Sequence, residues 1–287
     1  MHRYVLRRLL MMAPVLVGVI FVIFTLLYIA PGGMGSDQPF LAQFVTYVGR
    51  VFQLDLGHSF VTRRPVLTEL SFALPNTARL AVISLAVAIV VGIPIGILCA
   101  IRHNSALDNI ASVFGLVAFS VPNFWLGIML IMLFSVNLGL LPVAGSSTPL
   151  HWVLPSLTIG LSLSGEFMRF TRSSMLEVIR QDYIRTAWAK GQTESLIIVK
   201  HALKNALIPL VTVIGLSFGG LMAGAILVEE IFAIHGVGGI MLTAIRTRDV
   251  PVVQGGVLII ALLFSLINLL VDILYGFIDP RIRAQYK

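Results

Sequence analysis

The chain has 287 residues, of which 57% are hydrophobic and 11% charged, with a formal net charge of +7 and a mean hydropathy of +0.96. Soluble domains carry about 25% charged residues, so a water-soluble globule is excluded and the outer surface faces lipid. The basic residues lie beside apolar runs, which makes topology rather than nucleic acid the reason for the charge, and the single Cys99 excludes intramolecular disulfides and a cysteine-built metal site.

A spanning helix needs about 20 apolar residues, and six stretches meet that length: 9–30, 76–101, 109–137, 152–170, 207–228 and 252–277. The first follows Arg3, Arg7 and Arg8 and is too long for a signal peptide, so it reads as an uncleaved anchor helix. Residues 31–75 read as a polar outward loop. Pro122, Asn123 and Trp125 predict a kink in the third span, with Asn123 replacing the backbone bond that proline removes. Trp152 fits an interfacial aromatic belt. Glu166 and Arg169 stand three apart and are expected to pair on one helix face.

Segment 171–206 differs from the rest: mixed charge, helical periodicity and a central glycine. Ser174 and Glu177 have capping-box spacing and predict a helix start. Met175, Leu176, Ile179, Tyr183 and Trp188 recur at helical intervals, and Gly191 suits a helix end. A second helix is expected from Thr193 or Ser195 into the fifth span, with Pro209 just inside it. By periodicity alone this hairpin is either an amphipathic linker on headgroups or a docking element. Docking needs small residues, a turn and charges; Thr186, Ala187, Ala189 and Gly191 supply the first two, Arg185 and Lys190 the third.

In the fifth span Gly215, Ser217 and Gly219 have the spacing of a nucleophilic serine motif, but they sit in an apolar helix without a histidine in any span. Gly215, Gly219 and Ala223 at spacing four, and likewise Gly220 and Gly224, read instead as small-residue packing stripes. In the sixth span Asp272, with Asn268 one turn before it, is the intramembrane acid. No phosphate-binding G-x-x-x-x-G-K-[ST] loop occurs.

Fourteen of the 20 Lys and Arg fall on one side of a six-span topology, so both termini are expected in the cytoplasm.

The stretches "DYIRTAWAKG" and "KHALKNALIPLVTVIG" resemble the cytoplasmic signature loop of ATP-binding cassette (ABC) importer permeases of the dipeptide and oligopeptide branch. "RYVLRRLL", "PNTARLA", "SVPNFWLG", "VPVVQGGVL" and "DPRIR" match the same branch in order, so the resemblance covers nearly the whole chain. Two features depart from it: Trp188 stands where the family usually has arginine, and the segment after Pro31 is shorter than usual.

The resemblance implies an all-α type I ABC importer permease (MetI-like) fold with six transmembrane helices. It divides the chain into an N-terminal helix (1–30), an outward loop region (31–75), a five-helix core (76–277) containing the coupling segment 171–206, and a cytoplasmic tail (278–287). It also implies a multi-pass inner-membrane protein without catalysis, cofactor or metal of its own. Its partners would be a second permease, two ATPase subunits that hydrolyse the ATP, an extracytoplasmic solute-binding protein and membrane lipid, with no nucleic acid. Asp182, Tyr183, Arg185, Thr186, Ala187, Trp188, Ala189, Lys190 and Gly191 would contact the ATPase; Asn123, Trp125, Asn268 and Asp272 would border the translocation path. The implied cargo is a di- or oligopeptide, with nickel or glutathione as alternatives. An ATPase-independent carrier is the competing class, and only Asp272 could serve its ion coupling.

Overall fold

The computed structural model describes residues 2–29 and 39–278, and its secondary structure is helical apart from one isolated bridge between His58 and Pro65. Residues 30–38 of the first outward segment, and the tail beyond Ile278 with its "DPRIR" motif, lie outside the described residues. The end of the molecule that carries 171–206 is called inner below, and the opposite end outer.

All six apolar stretches form helix, as all-α class requires, but several boundaries move. α1 runs His2–Ile29. The region read as a polar loop contains α2, Phe40–Phe52. Its Phe40, Phe44 and Tyr47 recur at helical spacing and close over Phe24 of α1, with centroids 5.4–5.6 Å away. That aromatic burial, worth most of a small core, holds as helix what its polar neighbours suggested was loop.

α3 begins at Val66 and continues to Ile101, ten residues before the expected start. Pro65 enters with φ −59° and ψ 129°, a geometry suited to precede a helix. Val66, Leu70 and Ala73 are then buried against Val237, Met241 and Val252, so outer packing recruits this first part.

The third stretch is two helices. α4 spans Ala106–Ser120 and α5 Asn123–Leu130, continued by a π-helical turn over Ile131–Asn137. Val121 and Pro122 are extended and the two halves bend by 100°. Proline forces its predecessor out of helical conformation. Asn123 does not bridge the gap: its Oδ1 is buried without a partner.

α6, Val153–Ile179, is continuous. The expected helix start at Ser174 is therefore absent, and Ser174 instead donates from its hydroxyl to the Ala206 carbonyl at 2.9 Å. Trp152 does not face an interface; it is buried with Leu80 and Phe232, and Arg79 stacks 5.2 Å from its ring. After α7 (Asp182–Ala189), the short α8 (Glu194–Leu196) leads through a π-helical turn, Ile197–Leu203, into α9, Lys204–Gly224. α10 (Ile226–Ile231), α11 (Val237–Thr247) and α12 (Val250–Ile278) complete the chain.

Among the described residues Val66–Ile101, Glu194–Met222 and Val250–Leu274 are each long and apolar enough to cross a membrane, and the bent α4–α5 pair adds a fourth crossing if it is one span. The bundle is pinned by glycine. A Cβ on Gly92 would stand 2.6 Å from the Ser164 carbonyl, and one on Gly96 2.6 Å from that of Met168. On α6, Gly160 receives Val87 in the same manner. α3 and α6 thus touch backbone to backbone, the contact small residues permit between helices in lipid. The fifth-span stripe works likewise: Gly219 lies under the Phe264 ring of α12.

Candidate coupling and outer sites

α7 is eight residues long and begins after Gln181, whose extended φ and ψ (−77°, 151°) break it from α6. It ends before Gly191, which at φ +73° takes the left-handed turn that glycine allows without strain. Thr193 then stands at the start of α8. The predicted helix, glycine turn and helix are therefore present.

One side of α7 is anchored to its own chain. Ile184 (0% exposed) and Ala187 enter a cluster with Met175 and Val178 of α6, Ala100 of α3, and Ile197, Ala202 and Ala206. Ala187 is thus a support, not part of the outward face. The other side presents Asp182, Tyr183, Arg185, Thr186, Trp188, Ala189 and Lys190, with Gly191 after them. Trp188 is 48% exposed, a large apolar surface to leave in water. Arg185 pairs with Asp182 at 3.6 Å across one turn, and Tyr183 accepts a hydrogen bond from Asn205 Nδ2 at 2.7 Å. The result is a rigidly seated helix with an aromatic and charged outer face.

The inner end has one strong ion pair that sequence reading missed. Asp108, fully buried in the first turn of α4, takes Arg172 Nε at 2.6 Å and Nη2 at 2.8 Å. Ser105 caps that helix by accepting from the Asp108 amide, and the Asn104 amide donates to Asp108 Oδ2. The bidentate geometry is the strong form of this interaction. Arg169 and Glu166 do not pair: Arg169 lies over the Phe119 ring at 4.8 Å.

At the outer end two buried acids organise the loops. Glu229 (0% exposed) accepts from Thr77 Oγ1 at 2.6 Å and from the Gly239 amide at 3.1 Å, while Thr77 accepts from the Val237 amide. A carboxylate at the start of α11 complements its free amides and dipole. Burial nevertheless pushes Glu229 up from the ordinary carboxylate range, against those hydrogen bonds. Asp249 receives the Ser59 hydroxyl and the Phe60 amide, fixing the loop before α3 against the start of α12. Between these acids opens a cavity of about 620 Å³. Neither acid carries a motif, so only the tertiary structure shows them.

The four residues expected along a path do not converge. Trp125 lines a surface cavity at the α4–α5 break with Phe124 and Pro122, with Asn123 adjacent, whereas Asn268 and Asp272 line another between α12 and Met11, Met12 and Val15 of α1. Among the described residues no cluster of His, Cys, Asp or Glu could hold a metal.

Residues 92–284 match the family described as the binding-protein-dependent transport system inner membrane component. The chain is 41% identical to the glutathione transport system permease protein GsiC of Pectobacterium atrosepticum, over 99% of this chain and 100% of that one. It is 39% identical to the dipeptide transport system permease protein DppB of Escherichia coli K12, with the same coverage. Among solved structures it resembles a chain of the inward-facing MetNI methionine ABC transporter, with a TM-score of 0.61 and 21% identity over 73% of this chain and 96% of that chain.

Proposed function

The chain belongs to the binding-protein-dependent transport system inner membrane component family of ABC importer permeases, and from that premise we propose that it carries small peptides across the inner membrane, driven by ATPase subunits that seat on α7. A second permease of similar fold, two ATPase subunits and an extracytoplasmic binding protein complete the assembly. Both termini are cytoplasmic. ATP is bound and hydrolysed by the ATPase subunits, and this chain makes and breaks no bonds.

The observation that carries this reading is the two-sided character of α7. Ile184 and Ala187 fix it to α6, α3 and the start of α9, so force on the helix is delivered to the bundle. Its outer face exposes Asp182, Tyr183, Arg185, Thr186, Trp188, Ala189 and Lys190 to a partner. An ATPase that binds this face unequally in its open and closed states shifts the bundle between inward and outward access, because only differential affinity moves such an equilibrium. Trp188 gives this contact an apolar component.

Dipeptides and glutathione are the cargo named for the relatives, and both are peptidic, which supports a peptide cargo here. The test is co-purification of the full chain with its ATPase subunits. Tyr183→Ala with Trp188→Ala removes two exposed aromatic anchors of the kind that dominate interfaces. Recovery of the ATPase should fall at least about 10-fold and ATP-driven dipeptide uptake should disappear. Undiminished recovery with normal uptake would show that α7 is not the coupling element.

A further inference from the structure

The outer cavity holds a charge that its own chain does not neutralise. Glu69, Glu229, Glu230 and Asp249 line it against a single guanidinium, that of Arg64, on a chain whose net charge is +7. Among the described residues only Glu230 of these acids has an ion-pair partner, Arg246, 3.6 Å away and largely exposed. Glu69 accepts from the Thr62 hydroxyl, and Asp249 from the Ser59 hydroxyl and the Phe60 amide, all of them neutral donors. Burial holds Glu229 above the ordinary carboxylate range, so Glu69, Glu230 and Asp249 carry most of the charge.

The same wall is also apolar. Phe72 is 75% exposed and Val61 59%, a large apolar area to leave in water. The carboxylates beside them exclude acyl chains, which cannot solvate a charge. A small solute fits poorly too, because solute pockets enclose most of their ligand and a ring three-quarters open encloses little. The shape is set in advance. Glu229 ties Thr77 of α3 to the start of α11, the Asn76 side-chain amide donates to the His235 carbonyl at 2.9 Å, and Ala233 is held at φ 47°. A non-glycine residue keeps that left-handed geometry only where its surroundings impose it. A preformed surface loses little order on binding, which suits a protein partner that carries positive charge.

We propose that this groove is the docking surface for the extracytoplasmic binding protein, which enters it with an apolar side chain flanked by lysine or arginine. This rests on the importer reading above, whose family is described as binding-protein-dependent, and adds to it the surface and the chemistry of the contact. Opposite charge steers the encounter and fixes its register, while the exposed aromatic supplies affinity.

The test uses the complete importer in lipid nanodiscs and its purified binding protein loaded with alanyl-alanine. Affinity is measured for wild type, Phe72→Ala, Glu69→Gln and Glu69→Lys at about 50 and about 500 mM salt. Phe72→Ala should weaken binding about 10-fold or more at either salt. Glu69→Gln, which can keep the Thr62 hydrogen bond, should weaken it about 3- to 10-fold at low salt, Glu69→Lys more, and Glu69→Gln less than about 2-fold at high salt. Recovery of the second permease and of the ATPase subunits, and the thermal midpoint, should stay at wild-type values. The proposal is overturned by unchanged affinity in Phe72→Ala or in both Glu69 variants, or by a Glu69→Gln loss that salt does not diminish. It is also overturned by normal affinity with lost uptake, which assigns the groove to the solute, by release of the second permease, which assigns it to the subunit interface, or by a lowered thermal midpoint, which assigns these side chains to the fold. Wild type that captures no binding protein at either salt refutes the importer reading itself.

Discussion

Replacing Ile184 by alanine separates the seating of α7 from the stability of the bundle. Ile184 has no exposed surface and fills the centre of the cluster formed by Met175, Val178, Ile197 and Ala202. Truncating a buried isoleucine costs about 2–5 kcal/mol. A value of about 3 kcal/mol applies here, because the outer face of α7 is free and the helix can settle partly into the hole. The other buried residue of α7 is Ala187, so nearly all of this loss falls on docking. It corresponds to about a 150-fold shift toward undocked α7. Amide hydrogen exchange on the purified full chain reads it directly: amides of 183–190 should exchange about 100-fold faster, while those of α3 and the first half of α6 keep their rates. Ile184→Val, at about 1 kcal/mol, should give an intermediate acceleration, and ATP-driven uptake should fall in the same order. Unchanged exchange in 183–190, or acceleration spread evenly through the bundle, would refute the claim that Ile184 is the anchor.

Gly96→Leu drives a side chain into the Met168 carbonyl, which is backbone and cannot step aside; overpacking of about 3 kcal/mol or more should lower the thermal midpoint in detergent by several degrees, whereas Gly18→Ala, with nothing within 4 Å, should not. Asp108→Asn strips the half-buried Arg172 of its carboxylate and should destabilise by about 2 kcal/mol, with much of the loss recovered in Asp108→Leu with Arg172→Met, as a double-mutant thermal melt would record. Glu229 has its pKa raised by burial, so the folded state binds a proton the unfolded chain has released. Its contribution to stability is full below the ordinary carboxylate range and is lost as pH rises through the raised value. Protease resistance of the α10–α11 region should therefore increase on acidification from neutral pH, and Glu229→Gln, which mimics the protonated form, should flatten that dependence.

Helix existence was legible from apolar runs because lipid leaves few alternatives to helix, and the α7 hairpin was legible because Gly191 marks a turn that needs no tertiary partner. Boundaries were less so. Residues 66–75 carry Thr68, Glu69 and Pro75, and only their burial against α11 and α12 makes them helix. The spacing of Ser174 and Glu177 resembles a helix start, yet the chain there continues from α6 without interruption, and the Ser174 hydroxyl serves a neighbouring helix. The cap that does form, Ser105 with Asp108, has the same spacing of polar residues and passed unnoticed beside a short loop. Glu229 and Asp249 carry no local signal, because the residues that close around them lie 152 and 190 positions away. Phe40, Phe44 and Tyr47 were visible as a helical stripe, and polar neighbours masked them.

The unbroken course of α6 has a mechanical consequence. Twenty-seven residues make a rod about 40 Å long, stiffened along α3 by glycine contacts that leave no slack. A tilt of about 10° applied near Ile179 would sweep the Val153 end through about 7 Å, more than a helical turn. If a partner seated on α7 moves α6 near Ile179, as proposed above, a displacement of an ångström or two there would be enlarged at the Val153 end, with no break in α6 to absorb it.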